Sequence, residues 1–593
     1  MKSLLSVNKY FFRYIHLLLL GGLFVILSNI FYVLVPPFVR EGLNMIMNQS
    51  TINDTLIHYH LDFIHFDSYA SSLVALSLII ISIALLKGFF LFLTRQTIIA
   101  MSRRIEYDMK NDIYKHYQTL PTSFYKVNRT GDIITRISED VGQVRMYIGP
   151  TLMYGFSLIS LFVLTVSFMF SVNSQLALYT LAPLPFLSIG IYFVSSRMNI
   201  QSDKIQQKLS GLSTFIQETF SGIRTIKTFS KKNDRINSFD ILSEEYKQES
   251  LSLTKIEAFF VPLIQLLIGG STIITVYIGS KLIADNEISI GHIAEFVMYV
   301  NMLTWPVTSV GWITSIIQRA AASQKRINEF MDTKTDIVSH KNLELQNDSI
   351  EMISFRNISF TYPESGIQAL KNISFTIGKG DTLAIIGNTG SGKSTIASLI
   401  CRLYDSNKGE ILINGESIES YNIQSLRSNI GYVPQDAFLF SDTIKNNIAF
   451  GHDKISDKDI YIAAKQADIY DNIMEFPNQF DTKVGERGIT LSGGQKQRTT
   501  IARAFIRNPS LLILDDSLSA VDTKTEDTIL SNLKSIMANR ISIIISHRVS
   551  SVKLANKIIV LDDGVISEQG SHEELTKLNG LYKKIYDEQT KNK

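Results

Sequence analysis

The chain has 593 residues, of which 45% are hydrophobic and 19% charged, and its formal net charge is +3. This length predicts two or more domains, and the charge is too small to indicate a nucleic-acid partner. The only cysteine, Cys401, excludes a disulfide bond within the chain and is expected to be a small buried core residue.

The first half of the chain contains six mostly apolar stretches, each long enough to cross a bilayer, which takes about 20 residues. They cover residues 15–38, 71–94, 147–170, 175–195, 258–280 and 290–316. The first stretch is too long for a cleavable signal peptide and lacks a small-residue cleavage site. We therefore predict a multi-pass domain in the lipid bilayer, with both of its ends on the same side.

Lysine and arginine are unevenly distributed among the loops between these spans. They are frequent in residues 95–145 and 197–255 but absent from residues 41–70. By the positive-inside rule, the two long loops and the N-terminus are predicted to be cytoplasmic. Both loops have a largely helical pattern, and their tips, near residues 122–128 and 215–222, are predicted to dock on a soluble domain.

Lys87 is a charged residue inside the second predicted span. A charge at this depth is costly unless it faces water or a partner. Two interpretations stay open: Lys87 lines a cavity and contacts an anionic group of a transported molecule, or it snorkels to the inner headgroups. Glu295, in the sixth span, raises the same question.

The second half of the chain contains a phosphate-binding loop. An apolar run is followed by residues that match the GxxxxGK[ST] pattern, namely Gly387, Asn388, Thr389, Gly390, Ser391, Gly392, Lys393 and Ser394. In this pattern backbone N–H groups surround phosphate oxygens, the lysine reaches the terminal phosphates and the last hydroxyl can ligate Mg²⁺. The C-terminal part is therefore predicted to bind a nucleoside triphosphate.

A second glycine-rich segment, Leu491-Ser492-Gly493-Gly494-Gln495, opens a helical stretch whose N-terminal amides favour an anion. Farther along, the apolar run at residues 511–514 ends in Asp515. With the phosphate loop upstream, this combination resembles the ATP-binding cassette (ABC) transporters, and in particular exporters that have six spans fused ahead of one cassette. The resemblance covers nearly the whole chain.

The resemblance implies ATP and Mg²⁺ as cofactors and assigns roles to single residues. Tyr362 would stack on adenine, Gln435 would sense Mg²⁺ and the attacking water, and Asp515 would hold Mg²⁺ together with Ser394. His547 would contact the γ-phosphate, and Asp522 would communicate between cassettes. Further ATP contacts are implied for Thr395 and, toward the nucleotide of the opposite cassette, for Ser492, Gly493, Gly494 and Gln495.

Asp516 departs from the family pattern, which usually has a glutamate here as the base that polarises the attacking water. Its carboxylate is one methylene shorter, and a displacement of about 1 Å can cost roughly a hundredfold in rate. Slow hydrolysis is therefore expected at this site. Within the family such a change often marks a heterodimer with one degenerate site, which we favour slightly over a homodimer with two slow sites.

We predict a multi-domain protein: an all-α six-helix transmembrane domain (residues 1–320), a linker (321–350) and an α/β P-loop NTPase domain, the ABC cassette (351–593). The resemblance implies a dimeric, ATP-hydrolysing exporter or flippase of a lipophilic, amphipathic or lipid substrate. It would work by alternating access across the plasma membrane, with the bacterial inner membrane expected. Multidrug, lipid and peptide export stay open. The alternative is a regulatory or channel-like ABC subunit whose degenerate ATP site gates a partner.

Overall fold

The computed structural model describes residues 2–48, 68–345, 349–450, 452, 455–485, 488, 490–517 and 523–591. The chain forms two compact units. The membrane unit comprises Met1–Gln118 and Gly131–Thr333, and the cassette unit comprises Thr119–Thr130 and Lys334–Lys593. A short segment of the first half of the chain therefore belongs to the cassette unit.

The described residues of the first half of the chain form helices, which lie in the membrane unit except for α6, the last residue of α5 and the first residue of α7, which are part of the cassette unit. They are α1 (Asn8–Arg13), α2 (Ile15–Val33), α3 (Val35–Asn48), α4 (Tyr69–Thr94), α5 (Ala100–Thr119), α6 (Thr122–Val127), α7 (Thr130–Thr135), α8 (Val141–Met146), α9 (Leu152–Val172), α10 (Ser174–Leu181), α11 (Leu184–Ser221), α12 (Ile223–Thr228), α13 (Lys232–Ala284) and α14 (Ile290–Met331). Short π-helical stretches continue some of them, at Arg95–Ile99, Arg136–Asp140 and Tyr147–Thr151.

Among the described residues, five helical stretches are long and apolar enough to cross a membrane. They are Ile15–Met47, Ala70–Thr119, Thr130–Val172, Ser174–Ser221 and Lys232–Ala284. These stretches contain the first five predicted spans. The sixth predicted span lies within α14, which is helical throughout but less apolar, because polar residues such as Glu295 and Asn301 interrupt it. Its crossing of the bilayer stays a prediction.

The structure can be compared with the two predicted loop tips one at a time. A short helix, α6, occupies the first one, and it belongs to the cassette unit. The second prediction, residues 215–222, lies too early in the chain, because α11 continues to Ser221 and ends only at Gly222. The turn region of that loop is therefore α12 and the residues that follow it.

Glu295 is not an unpaired charge in the membrane unit. Its side chain is fully buried, and one carboxylate oxygen lies 3.0 Å from Nη1 of Arg40. Tyr299 donates a hydrogen bond of 3.0 Å to the other oxygen. Because a buried charge is tolerated when it is paired and hydrogen-bonded, this network joins α3 to α14 and accounts for a glutamate in an apolar sequence.

The cassette unit is an α/β domain, and its described residues form two sheets. Its strands are β1 (Met352–Thr361), β2 (Gln368–Gly378), β3 (Thr382–Gly387), β4 (Lys408–Ile413), β5 (Glu416–Ser417), β6 (Ile430–Val433), β7 (Leu511–Asp515), β8 (Ile541–Ile545), β9 (Lys557–Asp562) and β10 (Val565–Gly570). A four-stranded sheet has the order β2-β1-β4-β5, and a six-stranded sheet has the order β10-β9-β3-β8-β7-β6.

The helices of the cassette unit that follow the first strands are α15 (Lys393–Ile400), α16 (Ile423–Ser428), α17 (Ile444–Ala449), α18 (Asp457–Gln466), α19 (Tyr470–Met474), α20 (Gly493–Phe505), α21 (Thr523–Met537), α22 (Val549–Val552), α23 (His572–Lys577) and α24 (Leu581–Lys591). The predicted linker, residues 321–350, belongs partly to each unit. Helix α14 runs past residue 320 to Met331 in the membrane unit, whereas Leu345 packs in the cassette core.

Strands β3, β7 and β8 are neighbours in the larger sheet and run parallel. They are fully buried, and their side chains are mostly Leu and Ile, as is usual for parallel strands covered on both faces. Their carboxyl ends meet at one edge of the sheet, where ligands of such folds bind. The residues directly after these three strands therefore lie close together.

Candidate functional site

The phosphate loop connects the end of β3 to the start of α15, as the sequence predicts. Gly392 has φ of +98°, and a Cβ there would lie 2.4 Å from the carbonyl oxygen of Ala369, so only glycine fits. The Ser391 hydroxyl is buried and has no hydrogen-bond partner in the described structure. A tight backbone cradle with an unsatisfied hydroxyl fits a phosphate group.

Lys393 lies folded over this loop. Its Nζ donates to the carbonyl oxygens of Gly387 at 2.9 Å and Asn388 at 2.7 Å. Burial lowers the pKa of Lys393, and the carboxylates of Asp516 and Asp515 counteract part of that effect. The ammonium group is therefore positioned at the mouth of the loop, where its hydrogen bonds in the described structure go to backbone carbonyl oxygens, and it can meet anionic oxygens there.

Ser394 and Asp515 come from different elements and meet at the end of the sheet. The Ser394 hydroxyl donates to Oδ1 of Asp515 at 2.9 Å, and the Tyr432 hydroxyl lies 3.5 Å from Oδ2. Burial raises the pKa of Asp515. A hydroxyl and a carboxylate at one point are the oxygen ligands that Mg²⁺ prefers, so this pair fits that ion.

Tyr432 was not singled out from the sequence. Tyr432 belongs to no recognised sequence motif. Its position near the end of β6, three residues before Gln435, is the feature that could have indicated a place at the site. Its hydroxyl contributes a further polar contact to Asp515.

Asp516 lies directly after β7, and the structure brings it together with two other predicted residues. Its backbone N–H donates to the carbonyl of Ile545 at 2.8 Å, and its φ is +45°. Oδ1 lies 2.8 Å from Nδ1 of His547, and Oδ2 lies 3.4 Å from Nε2 of Gln435. The shorter carboxylate therefore keeps the neighbours that the resemblance implies for a catalytic base.

Tyr362 lies beside the phosphate-loop helix. Its hydroxyl lies 3.0 Å from Oγ1 of Thr395, in the first turn of α15. The rings of Phe360 and Tyr404 contact the Tyr362 ring edge-to-face, with centroids 4.9 and 5.3 Å away. The aromatic ring predicted to stack on adenine is thus fixed next to the loop predicted to hold the phosphates.

The signature segment forms the N-terminus of α20. The Ser492 hydroxyl accepts from the N–H of Gln495 at 3.2 Å, and the Gln495 side chain accepts from the N–H of Ser492 at 2.9 Å. This capping box orders Gly493 and Gly494 in the first turn of the helix. Asp522, the predicted contact between cassettes, lies outside the described residues.

These features define a class: a P-loop nucleotide-binding cassette in the same chain as a multi-pass helical membrane domain. The family model described as the ABC transporter transmembrane region matches residues 18–307, and the family model described as ABC transporter matches residues 370–519.

Relatives match over most of their length. The chain is 36% identical to the uncharacterized ABC transporter ATP-binding protein YknU of Bacillus subtilis, over 86% of this chain and 87% of that protein. It is 35% identical to the probable multidrug resistance ABC transporter ATP-binding/permease protein YheI of the same organism, over 81% and 82%. A solved bacterial Atm1-family ABC exporter with ATP bound is similar with a TM-score of 0.76 and 26% identity, over 98% of both chains.

The chain belongs to the ABC transporter family and has the exporter-type arrangement, with the membrane domain ahead of one cassette. It is therefore an ATP-binding, multi-pass membrane protein in which ATP hydrolysis is coupled to transport. ABC exporters of this kind work as dimers.

Proposed function

We propose that this protein exports lipophilic or amphipathic small molecules, including lipids, by alternating access. The observation that carries the proposal is a cavity in the membrane unit of about 590 Å³. It lies among α9, α11 and α14, and its lining residues are Leu158, Phe162, Ile191, Ser195, Ser196, Asn199, Pro306, Val310, Gly311, Thr314 and Gln318.

The composition of this lining supports an amphipathic substrate. Apolar side chains such as Phe162 and Ile191 would contact a hydrophobic body, whereas Asn199 and Gln318 would hydrogen-bond a polar group. None of these lining residues is charged. The multidrug names of relatives such as YheI agree with a substrate of this kind.

Lys87 does not line that cavity. Its Nζ lies 3.3 Å from the centroid of the Tyr32 ring, and the Ser28 hydroxyl donates to its carbonyl oxygen. Because helical side chains point toward the N-terminus of their helix, Lys87 is directed away from the end of α4 that leads to Arg95. This placement argues against snorkelling to the inner headgroups. A role in contacting an anionic substrate stays a proposal.

In the nucleotide site, we propose that Gln435, Asp516 and His547 orient the attacking water, while Lys393 and the loop amides hold the phosphates. Mg²⁺, when bound at Ser394 and Asp515, would neutralise charge between the transferred and leaving phosphates. The signature residues Ser492–Gln495 would complete the site of a second copy or a different chain.

We further propose that the dimer is a heterodimer in the plasma membrane of a bacterium, with the cassette and N-terminus in the cytoplasm. The short carboxylate of Asp516 supports slow hydrolysis at this chain's own site. The ordered signature segment at the start of α20 supports a contribution to an active site whose phosphate loop belongs to the partner. The presence of both Gln435 and His547 near Asp516 counts against a degenerate site, so a homodimer with two slow sites is the alternative assembly. The regulatory or channel-like subunit remains the alternative class.

The test combines composition with transport. The tagged chain is purified from its native membrane in mild detergent, and the complex is weighed by native mass spectrometry. It is then placed in proteoliposomes, where ATP-dependent movement of the dye Hoechst 33342 and of NBD-labelled phosphatidylethanolamine is measured beside membrane conductance.

We expect a second half-transporter in the complex and ATP-dependent movement of at least one probe. Val310→Trp, which fills the cavity, should reduce that movement, while Val276→Trp, also on an exposed helix face but away from the cavity, should not. ATP-gated conductance without movement of either probe would contradict export and support the channel-like alternative. A complex of two identical chains would contradict the heterodimer.

A further inference from the structure

The tip of the first long loop contacts the predicted adenine-stacking residue within the cassette unit. Lys126, in α6, places its Nζ 4.7 Å from the ring centroid of Tyr362 and 5.2 Å from that of Tyr404. The same Nζ lies 3.2 Å from Oε1 of Glu364, two residues after Tyr362. One ammonium group therefore joins the loop tip to both tyrosines.

Glu364 and Tyr404 also contact each other, so the cluster does not depend on Lys126 alone. Tyr404 donates a hydrogen bond of 3.0 Å to Glu364, whose side chain is only 13% exposed, and the Tyr404 and Tyr362 rings are perpendicular. Burial acts to lower the pKa of Lys126, but hydrogen bonding to Tyr404 and Glu364 raises it above its usual value. The lysine is therefore held in its charged form where a cation interacts favourably with an aromatic face.

We propose that Lys126 is a positioning residue that fixes the Tyr362 ring for adenine and so links occupancy by the base to the first cytoplasmic loop. The proposal rests on the proposed role of Tyr362. The ring is anchored at one end by its hydroxyl on Thr395 and is steadied by the cluster of Lys126, Glu364 and Tyr404.

The physical reason is preorganisation. A ring that is already held in one orientation loses less freedom when a base stacks on it, so binding is tighter. Because a coupling between two sites is reciprocal, a bound adenine must in turn stabilise α6 in its contact with Tyr362. The phosphates are held by other residues and do not take part in this coupling.

The test compares two ligands that share the phosphates but not the base. Affinities for ATP and for inorganic tripolyphosphate are measured on the full-length protein, with Mg²⁺, for the parent and Lys126→Met. We expect the Kd for ATP to rise roughly threefold to tenfold and the Kd for tripolyphosphate to stay the same. Lys126→Arg should keep most of the ATP affinity.

The matched control is Lys341→Met, because Lys341 also pairs with a glutamate, Glu416, at 3.4 Å, but away from Tyr362. It should change neither affinity. An unchanged Kd for ATP in Lys126→Met, an equal loss for both ligands, or tighter binding of ATP would each overturn the proposal.

A further variant separates this inference from the proposed nucleotide site. Tyr362→Ala should weaken ATP but not tripolyphosphate if Tyr362 stacks on the base. If Tyr362→Ala has no effect, the proposed role of Tyr362 fails. If it has the expected effect and Lys126→Met does not, only the role of Lys126 fails.

Discussion

The cassette unit and the membrane unit carry their functional groups in different ways. In the cassette, the candidate groups that the structure describes lie near the end of a strand or the start of a helix, and several contact one another, as Ser394 does with Asp515 and Asp516 with His547. In the membrane unit, the cavity is a space between three helices lined by uncharged residues. Phosphate chemistry requires a few fixed atoms, whereas a transport cavity requires a shape, so only the first leaves short sequence motifs.

The largest effect is expected where the cassette depends on a single side chain. Lys393→Ala removes the ammonium that lies over the phosphate loop, and we expect ATP hydrolysis by the chain purified alone to fall roughly a hundredfold or more. The ATPase activity and the nucleotide affinity of the variant are both measured in detergent. Lys379→Ala, an exposed lysine paired with Glu351, is the control and should keep the parental values. Parental activity in Lys393→Ala would show that the cassette site does not depend on this single side chain.

Asp516 tests how strictly the cassette site depends on the position of one carboxylate, because one methylene separates it from the usual glutamate. If the site is slow for that reason, Asp516→Glu should raise ATP hydrolysis roughly tenfold to a hundredfold. The gain is limited by the φ of +45°, which aspartate tolerates better than glutamate. Asp516→Asn should bind ATP normally and change the slow rate little. Brisk hydrolysis by the parent together with a dead Asp516→Asn variant would show that Asp516 is a working base.

In the membrane unit, the largest single effect should be on stability. Glu295→Ala leaves the partly buried Arg40 with Glu41 as its remaining carboxylate and should destabilise the protein by roughly 2–3 kcal/mol. The measurement is the Tm of the purified protein in detergent. Glu287→Ala, an exposed residue just before α14, should leave the Tm nearly unchanged. Equal Tm values for the two variants would show that the buried pair does not stabilise the helices.

The smallest expected effect concerns Lys87. Lys87→Ala removes the cation that lies over Tyr32, and an anionic amphipathic probe should then stimulate ATPase activity roughly twofold to fivefold less. Stimulation by a neutral probe should not change, and Lys87→Arg should restore the response to the anion. If Lys87→Ala leaves both transport and substrate-stimulated ATPase untouched, the residue has no role in binding substrate.

The apolar spans, the glycine spacing and the apolar run before the phosphate loop allowed the fold class and that loop to be predicted from the sequence, whereas the roles of Gln435, Asp516 and His547 rested on the resemblance to ABC transporters. Contacts between distant segments could not be predicted. The pairing of Arg40 with Glu295 and the approach of Lys126 to Tyr362 depend on packing between elements more than 200 residues apart. The second loop tip was placed too early because the helical pattern gives no stop before Gly222.

The central claim is that ATP bound in the cassette changes which face of the membrane unit is open. The chain suits a labelling test, because its only cysteine, Cys401, is buried, and burial raises its pKa to about 12, so it reacts slowly with maleimides. Thr314→Cys would place a reactive thiol in the cavity lining. With the complete dimer in proteoliposomes, a membrane-impermeant maleimide is added to the cassette side with and without ATP and Mg²⁺.

We predict that labelling of Thr314→Cys from the cassette side is fast without nucleotide and slows severalfold with ATP, and that Lys393→Ala abolishes the difference. Labelling that is the same with and without ATP, in a preparation shown to bind ATP, would contradict the account.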